Sequence, residues 1–292
     1  MPRVLKGVVI AVAVLATLLV GTGFALHVAG ASRLAKGPSV AVQAIAIPSD
    51  DVSLARGAHL DRAVVGCSGC HGADLSGEIM IDDATFGLIV ATNITSGVGA
   101  FGDGATLDDW IRAVKHGVGR DGRVLAAMPS DSFAHLSDDD LGAVLAHVMR
   151  FPPVDNALPA RRLVFPGTVI GGFLMFDDLP LARITKMVPP SHPPVGTDGA
   201  YGAYLLAIGT CVDCHGADLR GLPPGTPGPP PGPDLSRAGT LGSWTESDFV
   251  HAMRTGIAPG ARTLSPDMPF ATFGKMTDDE LSAMWAALQA LH

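Results

Sequence analysis

Four cysteines occur, and all four fall in two pentapeptides of one form, Cys67-Ser68-Gly69-Cys70-His71 and Cys211-Val212-Asp213-Cys214-His215. Cys-x-x-Cys alone serves a redox dithiol, half of a zinc site, or thioether attachment of a porphyrin. The appended histidine, occurring twice, selects the third chemistry. Two thiols separated by two residues on one helical turn reach both vinyl groups of a haem, and the next residue points its imidazole at the iron. No cysteine is left over for a structural disulfide, and neither motif has the βαβ setting of a thioredoxin-like dithiol. The expected cofactors are two covalently bound haem c groups, one on Cys67 and Cys70 and one on Cys211 and Cys214. His71 and His215 each supply one axial nitrogen.

The other axial position decides whether a haem carries electrons or binds small molecules. The chain has ten methionines. Met149 and Met284 fall on final helices, where core packing is expected, and Met80 and Met253 lack counterparts near the other motif. Met128 and Met268 are different. Each precedes a proline, in Ala127-Met128-Pro129 and Asp267-Met268-Pro269, and each lies in a loop before a final helix. They are the expected axial thioethers, against the alternative of ordinary gap-filling. His59, His116, His135, His147 and His251 do not recur at matching positions, so bis-histidine ligation is not the expectation. Gly232-Pro233-Asp234-Leu235 follows the second motif where Ala91-Thr92-Asn93-Ile94 follows the first, and a carbonyl there is placed to accept the axial histidine's N–H.

These residues are positioned by a duplication. Gly57-Ala58-His59-Leu60 answers Gly202-Ala203-Tyr204-Leu205, Cys70–Leu75 answers Cys214–Leu219, and Leu136–Leu141 answers Met276–Leu281. Two domains of one fold are expected at 50–153 and 196–292, with a Pro-rich apolar linker at 154–195 and an N-terminal segment at 1–36. Each domain reads as three helices: Ser53–Val65 and Gly199–Ile208, then Leu107–His116 and Glu246–Thr255, then Asp138–Arg150 and Asp278–Ala290. Thr106, Thr245, Ser137 and Thr277 are the expected N-caps, with Asp140 and Glu280 placed for capping boxes. Gly117 and Gly256 stop the middle helices. Strand signals are weak, so the expectation is all-α. Leu163–Phe176 is apolar but too short to span a bilayer; ordinary packing is expected for it, with a membrane surface or partner as alternatives. Pro223–Pro233 reads as a stiff connector.

Net charge is −8, which argues against nucleic acid as a partner. Aromatic residues make up only 5%, so a buried porphyrin would supply core volume that large rings do not. Haem c is attached outside the bacterial cytoplasm, which calls for export. Arg3 and Lys6 precede Gly7–Leu26, a run without charge. About 20 apolar residues suffice to span a bilayer, longer than the ~7–15 of a cleaved signal. An uncleaved single-pass anchor in the inner membrane is expected, with the remainder in the periplasm. Cleavage near Ala29-Gly30-Ala31, giving a soluble periplasmic protein, is the alternative.

The order Cys-x-x-Cys-His, Gly-Pro-Asp-Leu, Met-Pro and a terminal helix resembles the class I cytochrome c superfamily. Thr92-Asn93-Ile94-Thr95, Leu107–Gly117 and Ala127-Met128-Pro129 resemble the cytochrome c subunits of membrane-bound alcohol, aldehyde and gluconate dehydrogenases. This resemblance implies a non-catalytic electron relay from a dehydrogenase subunit to a quinone, a soluble cytochrome or an oxidase. Two other roles stay open: a haem enzyme of the dihaem peroxidase or thiosulfate-oxidising type, and the haem subunit of a terminal oxidase.

Overall fold

The computed structural model describes residues 3–184, 195–226 and 230–291. The end of the expected linker (185–194) and part of the proline-rich loop (227–229) lie outside the described residues. An apolar helix, α1 (Arg3–Ala35), leads into extended chain. Then come α2 (Asp51–Leu60), a π-turn at Asp61–Val65, α3 (Cys67–His71), the hairpin β1 (Glu78–Asp83) and β2 (Gly87–Ala91), α4 (Leu107–His116), α5 (Ser130–Phe133) and α6 (Asp138–Val148). The connecting region holds β3 (Arg162–Leu163), α7 (Gly167–Val169), a π-turn at Ile170–Leu174, a 3₁₀ turn at Phe176–Asp178 and α8 (Pro180–Ile184). The second half contains α9 (Gly199–Ile208), α10 (Cys211–His215), α11 (Glu246–Thr255), the short strands β4 (Ile257–Ala258) and β5 (Arg262–Thr263), α12 (Phe270–Phe273) and α13 (Asp278–Gln289).

Local chemistry explains the helix limits. Thr106 and Asp109, Thr245 and Asp248, and Thr277 and Glu280 close reciprocal capping boxes that satisfy the first free N–H groups. Gly117 and Gly256 end α4 and α11 in the left-handed region, at φ 64° and 72°, where a Cβ is disfavoured. In both halves the first helix packs on the last through a glycine. A Cβ on Gly57 would sit 1.9 Å from the Ala143 carbonyl oxygen, and one on Gly202 would sit 1.8 Å from that of Ala283. One apolar core joins the halves, running from Leu60, Ile111 and Leu141 to Leu205, Phe249 and Leu281.

The structure departs from expectation in three places. The chain is mainly helical but not all-α, because β1 and β2 pair antiparallel and β3 adds to β2. The run Leu88-Ile89-Val90 suits a half-buried strand, and Asp83 Oδ1 closes the turn by accepting from the N–H groups of Thr85 and Phe86. At α6, Ser137 accepts from Asp140 N, but the box stays open because Asp140's carboxylate is held by other residues. Met149, expected in the core, is 37% exposed at the end of α6, whereas Met284 is buried. The apolar stretch at 163–176 packs chiefly on the last turns of α1.

Candidate haem-binding sites

The two attachment turns match residue for residue. α3 and α10 each follow a left-handed residue, Gly66 at φ 62° and Thr210 at φ 60°, and each ends on a glycine, Gly72 and Gly216, near φ 80° and ψ 158°. Beyond them the buried Leu75 and Leu219 both adopt φ near 60°, a conformation costing roughly 1 kcal/mol or more for a branched residue. The surrounding bonds hold it in place. Gly77 N donates to His71 O and Gly221 N to His215 O, both at 2.7 Å, while Ile94 N and Leu235 N return to the carbonyls of Leu75 and Leu219 at 3.0 and 2.8 Å. In both motifs the two cysteines and the histidine therefore share one helical turn.

Each histidine is oriented the same way. His71 Nδ1 lies 2.7 Å from Thr92 O, and His215 Nδ1 lies 2.7 Å from Pro233 O. A carbonyl only accepts, so Nδ1 carries the proton and Nε2 keeps its lone pair for a metal. Asx turns aim these carbonyls: Asn93 Oδ1 accepts from Thr95 N at 2.9 Å, and Asp234 Oδ1 accepts from Ser236 N at 2.7 Å. Burial pushes both imidazoles below their ordinary value, although the carbonyls pull the other way. The neutral ligating form is therefore favoured. Gly232 is needed beside His215, since a Cβ there would lie 2.6 Å from ring Cε1.

The thiols are free. Burial pushes the Cys67 thiol well up and the Cys211 thiol to about 12. Among the described residues no group of three or more His, Cys, Asp or Glu side chains is placed to hold a metal ion. In both halves paired cysteines on one short helix and a histidine oriented through Nδ1 fit a covalently attached haem.

The Met-Pro loops also correspond. Pro129 (φ −77°, ψ 57°) and Pro269 (φ −79°, ψ 51°) sit at the centre of inverse γ-turns, in which Ser130 N and Phe270 N donate to the carbonyls of Met128 and Met268 at 2.8 Å. Proline has no N–H to lose and its φ is preset, so this turn is rigid. Both methionines are half-buried against the core. Each loop leans on the end of the middle helix of its half. Ser130 Oγ donates to Ala113 O at 2.9 Å, and the Phe270 ring crowds Gly256. Of the other methionines, Met253 is buried and Met80 exposed.

A polar network between the halves escaped the sequence reading. Arg56 grips Asp140 with two nitrogens at 3.0 and 3.1 Å, and also reaches Glu280 at 3.2 Å and Tyr201 Oη at 3.0 Å. His59 Nε2 lies 2.7 Å from Glu280 Oε2, while Tyr204 donates to Asp140 at 2.7 Å and accepts from Ser137 N at 3.2 Å. His59 and Tyr204 occupy equivalent repeat positions, as do Asp140 and Glu280. Each half thus reaches across to the capping acid of the other, and Tyr204 takes the place Asp140 would have filled at the α6 cap. Arg183 of α8 adds a second bridge. It pairs with buried Asp131, just after Met128-Pro129, at 2.5 Å and with Asp213, inside the second motif, at 3.0 Å. Equal spacing from the two glycines, Gly57 and Gly202, was the available signal for the first network; none existed for the second.

Residues 200–291, which carry the second attachment turn and the second Met-Pro loop, match the cytochrome c family model. Among curated proteins, the chain is similar to the fructose dehydrogenase cytochrome subunit of Gluconobacter japonicus, 28% identical over 73% of this chain and 47% of the relative. It is similar to the cytochrome c subunit of the quinone alcohol dehydrogenase of Gluconobacter oxydans (strain 621H), 31% identical over 71% of this chain and 48% of the relative. A diheme cytochrome c-type protein of Cereibacter sphaeroides is 26% identical over 66% of this chain and 70% of its own length. The chain spans about half the length of the two dehydrogenase subunits.

Proposed function

We propose that the chain is a membrane-anchored dihaem c-type cytochrome with two tandem cytochrome c domains, passing single electrons from a dehydrogenase to a respiratory acceptor. The observation that carries this reading is the recurrence, in both halves, of an attachment turn whose histidine Nδ1 lies 2.7 Å from a loop carbonyl and of a Met-Pro γ-turn. Cys67, Cys70, Cys211 and Cys214 would form the thioether links, and His71 with Met128 and His215 with Met268 would hold the two irons. When bound, haem iron supplies a one-electron couple, and a methionine partner raises its potential relative to more basic ligands. The protein's part is to keep each imidazole neutral and aimed, to hold each thioether in a rigid turn, and to close the iron to small molecules. The donor is the catalytic subunit of a dehydrogenase, as the names of the relatives suggest. The acceptor is a quinone, a soluble cytochrome or an oxidase.

Gly7–Leu26 of α1 is the membrane span, with Arg3 and Lys6 on the cytoplasmic side and the haem-bearing halves in the periplasm. Retention of this helix is supported by its packing. His27 and Gly30 are built into contacts with residues 168–172, which cleavage near Ala31 would remove.

The haem content of the membrane-extracted full chain tests the reading: two haems per chain are expected, both low-spin. Met128→Ala and Met268→Ala should each abolish half of the methionine-to-iron charge-transfer absorption. One haem per chain, or a high-spin centre in the unaltered protein, would overturn it and point to a haem enzyme. Mass spectrometry of the mature N-terminus tests the anchor separately.

A further inference from the structure

The connecting region meets α1 backbone to backbone. A Cβ on Gly30 would lie 2.2 Å from Thr168 O, and one on Gly172 would lie 2.5 Å from Gly30 Cα. His27 Nδ1 and Thr168 Oγ1 share a hydrogen bond at 2.9 Å, and Arg33's guanidinium rests 3.9 Å above the centre of the Phe176 ring. These contacts fix the height of the segment along the helix. Thr168 lies at the level of Gly30, and the Phe165 ring reaches the level of Gly23, 4.0 Å from where its Cβ would be.

That height matters because of the helix rise. At about 1.5 Å per residue, Gly7–Leu26 covers about 30 Å, the thickness of a bilayer's hydrocarbon core. Gly23 then lies about 5 Å inside the periplasmic boundary of the hydrocarbon and Gly30 about 6 Å outside it. Phe165 is 55% exposed, Phe173 37% and Leu174 73%. Three large apolar side chains on one short segment therefore stand open beside a helix whose own Leu18, Leu19 and Phe24 are also open. Exposed apolar clusters of this kind mark interaction surfaces.

We propose that Phe165–Leu174 is a second membrane contact, which sinks its apolar side chains into the periplasmic leaflet beside α1 and sets the orientation of the haem-bearing halves over the bilayer. The occupant is lipid and not a partner protein, because continuity with the span puts Phe165 at hydrocarbon depth. The contact is apolar in character. Gly167 N donates to Thr85 O at 2.7 Å, which brings the hairpin tip and its exposed acids Asp82 and Asp83 close by, so attraction to anionic headgroups does not drive it. The inference rests on the reading of α1 as a retained anchor.

The haem-loaded full chain is reconstituted into phosphatidylcholine vesicles and labelled with a lipid-partitioning diazirine, and modified residues are located by mass spectrometry. Labelling at Phe165 is expected within about threefold of that at Leu18 and Phe24, and labelling at both Phe165 and the shallower Leu174 well above that at the exposed Val98 and Ile257, by about tenfold for Phe165, unchanged by added salt. Strong labelling of α1 with residues 163–176 no higher than Val98 and Ile257 overturns this inference and leaves the anchor standing. Absence of label from α1 overturns the anchor and the inference with it. The double variant Phe165→Ser/Leu174→Ser should keep its α1 label and haem spectrum but lose at least about half of its haem linear dichroism in oriented bilayers. Unchanged dichroism would refute the orienting role.

Discussion

Replacing Glu280 by glutamine tests whether the cross-connected acids hold the two halves together. Glu280 is 3% exposed. It lies 2.7 Å from His59 Nε2 and 3.2 Å from Arg56 Nη1, and accepts from Thr277 N at 2.9 Å. Burial by itself would raise its carboxyl, but the contacts with His59, Thr277 and Arg56 outweigh burial and hold it at about 2, against an ordinary 4.5. That displacement corresponds to about 3 kcal/mol of folding free energy. Because the folded value is depressed, the contribution is complete above pH 4.5, falls to about half by pH 3 and is nearly gone at pH 2. Glutamine keeps the acceptor for Thr277 N but loses the charge facing Arg56 and His59, so the expected loss at pH 7 is about 2 kcal/mol. Urea unfolding of the detergent-solubilised, haem-loaded chain, followed by far-ultraviolet circular dichroism between pH 7 and pH 3, measures both quantities. The gap between parent and Glu280→Gln should narrow as pH falls through this window. A gap below about 0.5 kcal/mol at pH 7, or one that does not change with pH, would refute the reasoning.

Other perturbations follow from single contacts. Gly57→Ala and Gly202→Ala place a methyl within 2 Å of a helix backbone, and each should cost about 2–4 kcal/mol in a thermal or urea melt. Gly232→Ala crowds the His215 ring. Only the second haem should respond, taking up added cyanide at about tenfold lower concentration while the first is unchanged. Arg183→Ala leaves the buried Asp131 unpaired beside Asp213. With the guanidinium 42% exposed, the expected loss is about 1–2 kcal/mol, and Arg183→Ala/Asp131→Asn should recover much of it in the same melt.

Sequence and structure divide according to the range of the interactions involved. Thr106, Thr245 and Thr277 were legible as caps because a capping box closes within four residues, and Gly117 and Gly256 as stops because the left-handed conformation is a property of one residue. The hairpin at Glu78–Ala91 was not legible, since its strands are short and their pairing is not a local preference. The apolar character of 163–176 was visible, but its resting place was not, because contact between Gly30 and Thr168 spans more than a hundred residues.

The two Cys-x-x-Cys-His motifs, their duplication and the matching Met-Pro pairs were determined by residue type and spacing, for thioether attachment and turn chemistry are local. The carbonyl that fixes each histidine could be narrowed to a stretch such as Thr92 or Pro233, yet the 2.7 Å approach depends on how the following loop returns. The tertiary structure alone decided that Arg56, His59 and Tyr204 cross between the halves. Their partners, Asp140 and Glu280, had apparent local duties as capping acids, and only the joining of the two halves through one core brings the acid of each within hydrogen-bond reach of the other.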